Sequence, residues 1–226
     1  LFNDFEERFG RNFKNHPVDL VVGGPPCQGY SGIGIRRSYS VDKKQLPSNH
    51  LFQDMAFFVH KIKPKIFLFE NVRGLLKSKW TSTGKSGEIF KDVLETFKNI
   101  PNYNVKYKLI HAKDYGVPQN RPRVLFVGLR NDVKFDLNQS KTANGFLPDP
   151  SGTPPDPVDI FSDLIDPNYM KKFSTDKYIK PPRSEFQIKM RKNGKTILQK
   201  GDLLTDQEYA NHSDKVVEKF KYMIQN

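Results

Sequence analysis

The sequence predicts an α/β domain built around a mostly parallel sheet. Two apolar runs, Val18 to Val22 and "KIFLFENV" at Lys65 to Val72, break off abruptly into glycines or into Glu70-Asn71, as buried strands do where they deliver loops. Between them Leu51, Met55, Phe58, Val59 and Ile62 recur with helical period. Farther on, Tyr103 to Ile110 alternates and "VLFVGL", Val124 to Leu129, is apolar throughout. The resulting order is strand, helix, strand, helix, strand, strand, and such sheets host chemistry at their strand ends.

Taken in order, the first strand ends at Gly23-Gly24 and hands the chain to the loop "GGPPCQGYSG". The helix from His50 to Ile62 is stopped by Pro64, which lacks the N–H a helix needs. After the second strand, the polar loop "KSKWTSTGKSGE" leads into a helix over Ile89 to Phe97 that carries Phe90, Val93, Leu94 and Phe97. Beyond Arg130 the composition shifts, and "LPDPSGTPPDPVD" reads as a linker or long connection. This divides the chain into residues 1–131 and 132–226. The second part carries a helix around Ile160 to Ile165, a basic stretch from Arg183 to Lys195, and a last helix from Ser213 to Ile224.

Composition bounds the function. A net charge of +12 and a pI near 9.6 favour a polyanionic partner, because lysines and arginines that neutralise phosphates release counterions. A single cysteine rules out an internal disulfide framework and a multi-cysteine zinc site, and the five histidines lack ligand spacing, so no metal is expected. No stretch approaches the ~20 apolar residues of a membrane span, and a cytoplasmic location is expected. The chain starts at Leu1 and stops at Asn226 just after an amphipathic segment, so both ends are expected to be cut.

Three motifs carry chemistry. Pro25-Pro26 holds Cys27 in an extended segment, since each proline fixes its own φ and the second biases the first away from helix. Cys27 is then either a small structural hydrophobe or a presented thiol. A nucleoside triphosphatase is excluded: the glycine loop lacks a following Gly-Lys-Ser/Thr, and "STGKS" has Lys79 where a phosphate-binding loop needs its first glycine. Glu70, at the polar end of its strand, is either a solvated carboxylate or an acid sharing a sheet edge with Cys27. In "DYGVPQNRPRVLFVGLR", Gln119, Arg121 and Arg123 alternate, which in a strand sends them to one side, where two guanidiniums suit an anionic or carbonyl-rich ligand. A solvated strand edge is the alternative, and Pro118 and Pro122 favour an edge or loop.

The order "PPCQGYS", "SNHLF", "ENV" and "QNRPR" followed by an apolar strand resembles the fourth, fifth, sixth and eighth motifs of the DNA cytosine-5 methyltransferases, in particular the bacterial restriction-modification type. "FSDLID", "KYIKPPRSEFQIKMR" and "NHSDKVVEKFK" resemble the stretch leading into that family's target-recognition domain. The resemblance implies a partial Rossmann-like S-adenosylmethionine-dependent methyltransferase fold, with residues 1–131 as part of the catalytic domain and 132–226 as linker and the start of target recognition. It assigns Cys27 as the nucleophile on carbon 6 of a flipped-out cytosine, Glu70 as the group on ring nitrogen 3 and the exocyclic amine, and Arg123, supported by Arg121, as the contact to the base carbonyl or a phosphate. Gln28, Ser31 and Gln119 would face double-stranded DNA, and Pro26 and Leu51 would line S-adenosylmethionine.

The family's Phe-x-Gly-x-Gly cofactor loop has no counterpart before Pro25, so the resemblance implies a central fragment, inactive on its own. A non-catalytic DNA-binding homologue, one subunit of a split methyltransferase, and a methylase of RNA cytosine are the alternatives. A cognate restriction endonuclease and a monomeric full-length protein complete the expectations.

Overall fold

A computed structural model describes residues 2–9, 16–26, 47–134, 147–168 and 173–225. The chain forms two compact units, Leu1–Thr153 and Pro154–Asn226. In the first, helix α1 (Phe2–Phe9) is followed by β1 (Leu20–Gly23), α2 (Leu51–Ile62), β2 (Ile66–Val72), α3 (Glu88–Lys98), β3 (Tyr103–His111) and β4 (Pro122–Arg130). The sheet order is β1-β2-β4-β3.

The expected α/β architecture is present. β1 pairs in parallel with β2, while β4 is antiparallel to both β2 and β3, so three of the four strands run the same way and β4 alone is reversed. The reversal follows from connection length. The chain between β1 and β2 contains α2, long enough for a crossover, whereas only the short turn from Ala112 to Arg121 separates β3 from β4 and allows an antiparallel return. Pro122 does not mark a sheet edge. It is the first residue of a strand flanked on both sides, a position where its missing N–H is tolerated.

One face of the sheet makes an aromatic core. Phe67, Phe69 and Phe126 project from β2 and β4 onto Phe97 of α3, with ring centroids 4.9 to 5.9 Å apart. Phe52, Met55, Ala56 and Val59 of α2 and Ile89 and Val93 of α3 complete it. Gly128 sits directly across from Phe67, and a Cβ there would lie 2.0 Å from the Phe67 ring, so the glycine makes room for the aromatic. Apolar burial of this extent at ~25 cal/mol per Å² is the main force holding the sheet against its helices. The loop before α3 is anchored rather than loose: Glu88 accepts from the backbone N–H groups of Trp80 and Lys85, and the Trp80 indole donates to Asp92 at 2.5 Å.

The second unit contains α4 (Pro157–Phe161), α5 (Glu185–Met190), a small hairpin of β5 (Lys192–Asn193) and β6 (Thr196–Ile197), and α6 (Asp214–Gln225). Its centre is polar. Arg191, 1% exposed, donates through Nε and Nη2 to Asp163 Oδ2 at 2.9 and 2.5 Å, gives a further bond to the Lys180 carbonyl, and lies 3.8 Å from the Tyr178 ring centroid. No helix among the described residues is long and apolar enough to cross a membrane.

Candidate active site

Sheet register brings two of the sequence motifs to one edge. Gly23 of β1 lies beside Phe69 of β2, so the chain leaving β1 passes next to Glu70. A Cβ at Gly24 would stand 3.2 Å from Glu70 Oε2, a spacing tighter than ordinary van der Waals contact. Gly24 therefore lets the segment that leads through Pro25 and Pro26 run against the carboxylate. Sequence reasoning passed over it, treating the glycine pair only as a loop signal. The residues that follow, Cys27, Gln28 and Ser31 among them, lie outside the described residues.

The third motif reaches the same carboxylate through β4. Val72 is opposite Arg123 and Glu70 opposite Leu125, which makes Glu70 and Arg123 diagonal neighbours on one face. The Arg123 guanidinium Nε ion-pairs with Glu70 Oε1, with the arginine side chain 18% exposed and the glutamate 39%. Arg123 also donates through Nη1 to the Pro122 carbonyl at 2.9 Å, which fixes the guanidinium above the strand end. Asn71 faces the other way: it is 1% exposed, its Oδ1 accepts from Val72 N at 2.9 Å, and its Nδ2 has no hydrogen-bond partner among the described residues. Period two thus separates an ion-paired face from a packed one within three residues.

Gln119 and Arg121 are placed differently from what alternation predicts. Both are exposed and belong to the turn before β4, where Gln119 N donates to Val117 O and Arg121 N to Gln119 O, so strand periodicity begins only at Pro122. Local hydrogen bonding with Pro118 in the turn overrides extension there. Among the described sites, Arg123 alone joins Glu70; Arg121 and Gln119 form an exposed tip beside them. Pro26 is exposed at the end of the β1 loop, and Leu51 is half-buried in the first turn of α2. One turn later Met55 packs on Gly23, where a Cβ would meet its sulfur at 2.5 Å, so α2 is seated directly on the strand that delivers the loop.

Away from this edge, a cavity of about 440 Å³ lies between α2 and α3, lined by residues that include His50, Trp80, Asp92 and Glu95, with the His50 and Trp80 rings stacked 5.0 Å apart. No group of three or more His, Cys, Asp or Glu among the described residues could hold a metal ion.

Comparison with known proteins identifies a family. The family described as C-5 cytosine-specific DNA methylase matches residues 1–226. The Type II methyltransferase M.XorII of Xanthomonas oryzae pv. oryzae is 33% identical over 201 residues, covering 84% of this chain and 43% of that protein. M.DdeI of Desulfomicrobium norvegicum is 46% identical over 116 residues, 51% of this chain and 25% of that one, and M1.HphI of Haemophilus parahaemolyticus is 39% identical over 122 residues, 54% and 30%. The chain spans less than half the length of these relatives. With a strand-end carboxylate and guanidinium paired beside Gly24, and a family match across its whole length, the chain belongs to the C-5 cytosine-specific DNA methylases.

Proposed function

We propose that this chain carries the cytosine-binding half of a DNA cytosine-5 methyltransferase active site. The observation that supports it most directly is the meeting of Gly24, Glu70 and Arg123 at one sheet edge. Carbon 6 of cytosine is inaccessible in a stacked duplex, so the base is flipped out, at a cost of roughly a few kcal/mol that the basic surface offsets through phosphate contacts. The Cys27 thiolate adds to carbon 6, and the electron pair moves toward carbon 5 and ring nitrogen 3. Glu70 faces nitrogen 3 and the exocyclic amine: in its protonated form it donates to nitrogen 3 as charge builds there and its other oxygen accepts from the amine, while Arg123 holds the Glu70 side chain in place and offers its remaining N–H groups to the base carbonyl or a phosphate. Loss of the carbon 5 proton then lets the carbon–sulfur bond break and restores the thiolate, the usual economy of covalent catalysis.

S-adenosylmethionine is the proposed methyl donor, and when bound it supplies the electrophilic methyl that carbon 5 attacks. Pro26 and Leu51 fit one side of it: both are apolar and offer contact to an adenine face, but neither side chain has an acceptor for ribose hydroxyls or the ammonium group. They constitute one wall of a cofactor site. The likeness to Type II methyltransferases supports a cognate restriction endonuclease reading the same DNA.

The test is made on the whole methyltransferase with DNA carrying 5-fluorocytosine. The unaltered protein should form an adduct stable to denaturant, because fluorine at carbon 5 cannot leave as a proton does. Cys27→Ala should form none, and Glu70→Gln should lower kcat by about 10²–10³-fold. An adduct retained in Cys27→Ala would sink the mechanism.

A further inference from the structure

The turn that carries Gln119 and Arg121 is held from outside by a segment far along the chain. Asp114 O accepts from both Ser151 N and Gly152 N, at 3.0 and 3.2 Å, and Tyr115 forms a parallel bridge with Gly152. The Tyr115 hydroxyl donates to Pro148 O at 2.9 Å, and Lys108 of β3 reaches both Pro148 O and Asp149 at 3.3 Å. Leu147, at the head of the segment, is buried. Contact is backbone to backbone: a Cβ at Gly152 would lie 2.7 Å from Gly116 N and 2.9 Å from Gly116 Cα, and neither atom belongs to a flexible side chain that could swing away. Gly116 itself has φ +77°, so the turn is built on a conformation that leaves little slack.

We propose that Leu147–Gly152 is a clamp that sets the position of the Gln119–Arg121 tip, with Gly152 as a positioning residue. The clamp grips Asp114 to Gly116, and only Val117 and Pro118 separate that grip from the tip, so a displaced segment moves the tip as a unit. The role of the tip as a DNA contact rests on the function proposed above; the clamp rests on the geometry around Gly152.

Two measurements on the whole methyltransferase separate these. Hydrogen exchange reads the clamp: Gly152→Ala should speed exchange of the amides from Gly116 to Arg121 while those of β2 stay as they were, and Tyr115→Phe should do so to a smaller degree. Steady-state kinetics read the consequence: Gly152→Ala should raise KM for duplex DNA by about tenfold, with kcat and KM for S-adenosylmethionine within about twofold. In an Arg121→Ala background, Gly152→Ala should add little, because residues acting through one another are not additive. Unchanged exchange in Gly152→Ala overturns the clamp, as does a fall in kcat with a rise in both KM values, which marks general loss of structure. A silent Arg121→Ala with faster exchange in Gly152→Ala keeps the clamp and overturns the DNA-contact reading of the tip.

Discussion

Among the described residues of the first unit the largest fully buried side chains are Phe67, Phe69, Phe97 and Phe126, packed on one another at tilted and edge-on angles; in the second the largest is Arg191, closed over Asp163. The same chain is thus held together in two ways. The first unit removes a continuous apolar face from water. The second leaves Val158, Ile165, Met190 and Leu203 each at least 60% exposed and draws its order from charge-assisted hydrogen bonds. A unit this small has little apolar surface to bury, and a paired buried ion is a way to fix a unique arrangement without it. The difference teaches where each unit is fragile: a core loses stability in proportion to the volume removed, a buried ion pair loses it at the first missing partner.

The strongest way to break the comparison is Phe97→Ala, which empties the centre of the aromatic cluster and should destabilise the first unit by about 4 kcal/mol in denaturant unfolding. A loss below about 1 kcal/mol would mean that the rings are not the source of cohesion. Next is Asp163→Ala, which strands a buried guanidinium and should cost the second unit about 3 kcal/mol, read as faster hydrogen exchange in α5 with β2 unaffected. Replacing both partners, Asp163→Leu with Arg191→Met, should recover most of that loss, because the penalty belongs to the orphaned charge. Ser184→Ala should cost about 1 kcal/mol: Ser184 accepts from Gln187 N at 3.1 Å, the Gln187 side chain accepts from Ser184 N, and the serine hydroxyl donates to Asp159 O at 2.6 Å.

The smallest effect is a pH dependence confined to the first unit. Burial pushes the Tyr103 hydroxyl from 10 up to about 12, and it donates to Pro64 O at 2.5 Å. The folded state therefore holds its proton more tightly than the unfolded chain. That contribution is complete below pH 10 and is lost as the pH rises through about 12. Tyr103→Phe should flatten the alkaline limb of the stability profile and cost about 1 kcal/mol at neutral pH; an unaltered limb would assign it to other groups.

β2, β3 and the helices α2 and α3 were legible because each covers one face, and burial writes its period into the sequence; β4, buried on both faces, reads as a continuous apolar run, and so does β1 although its Leu20 and Val22 are exposed. What escaped was short or held by polar groups. α1 showed its signal in Phe2, Phe5 and Phe9, and Phe5 does pack edge-on against Phe58, but eight residues make a faint pattern. α5 was hidden inside a stretch read for its charge, although Ser184 and Gln187 spell a capping box, and Asn193-Gly194 marks the β5–β6 turn, with Gly194 at φ +61°. For the site, motif order pointed to Glu70 and Arg123, yet their pairing follows from the antiparallel register of β2 and β4, which no local pattern encodes. The period assigned to Gln119 and Arg121 failed because turn hydrogen bonds there outcompete extension.

The reversal of β4 has a consequence for the order in which the Glu70–Arg123 pair forms. Arg123 enters between β2 and β3, two strands made earlier in the chain, so its bond to Glu70 closes a long loop, a step that chain entropy makes late and slow. A nascent or half-folded chain can own β1 and the glutamate strand and still lack the guanidinium that pairs with Glu70. The Glu70–Arg123 pair is in that way absent until the sheet is finished, and the ionic strand end exists only in molecules whose four strands have all joined.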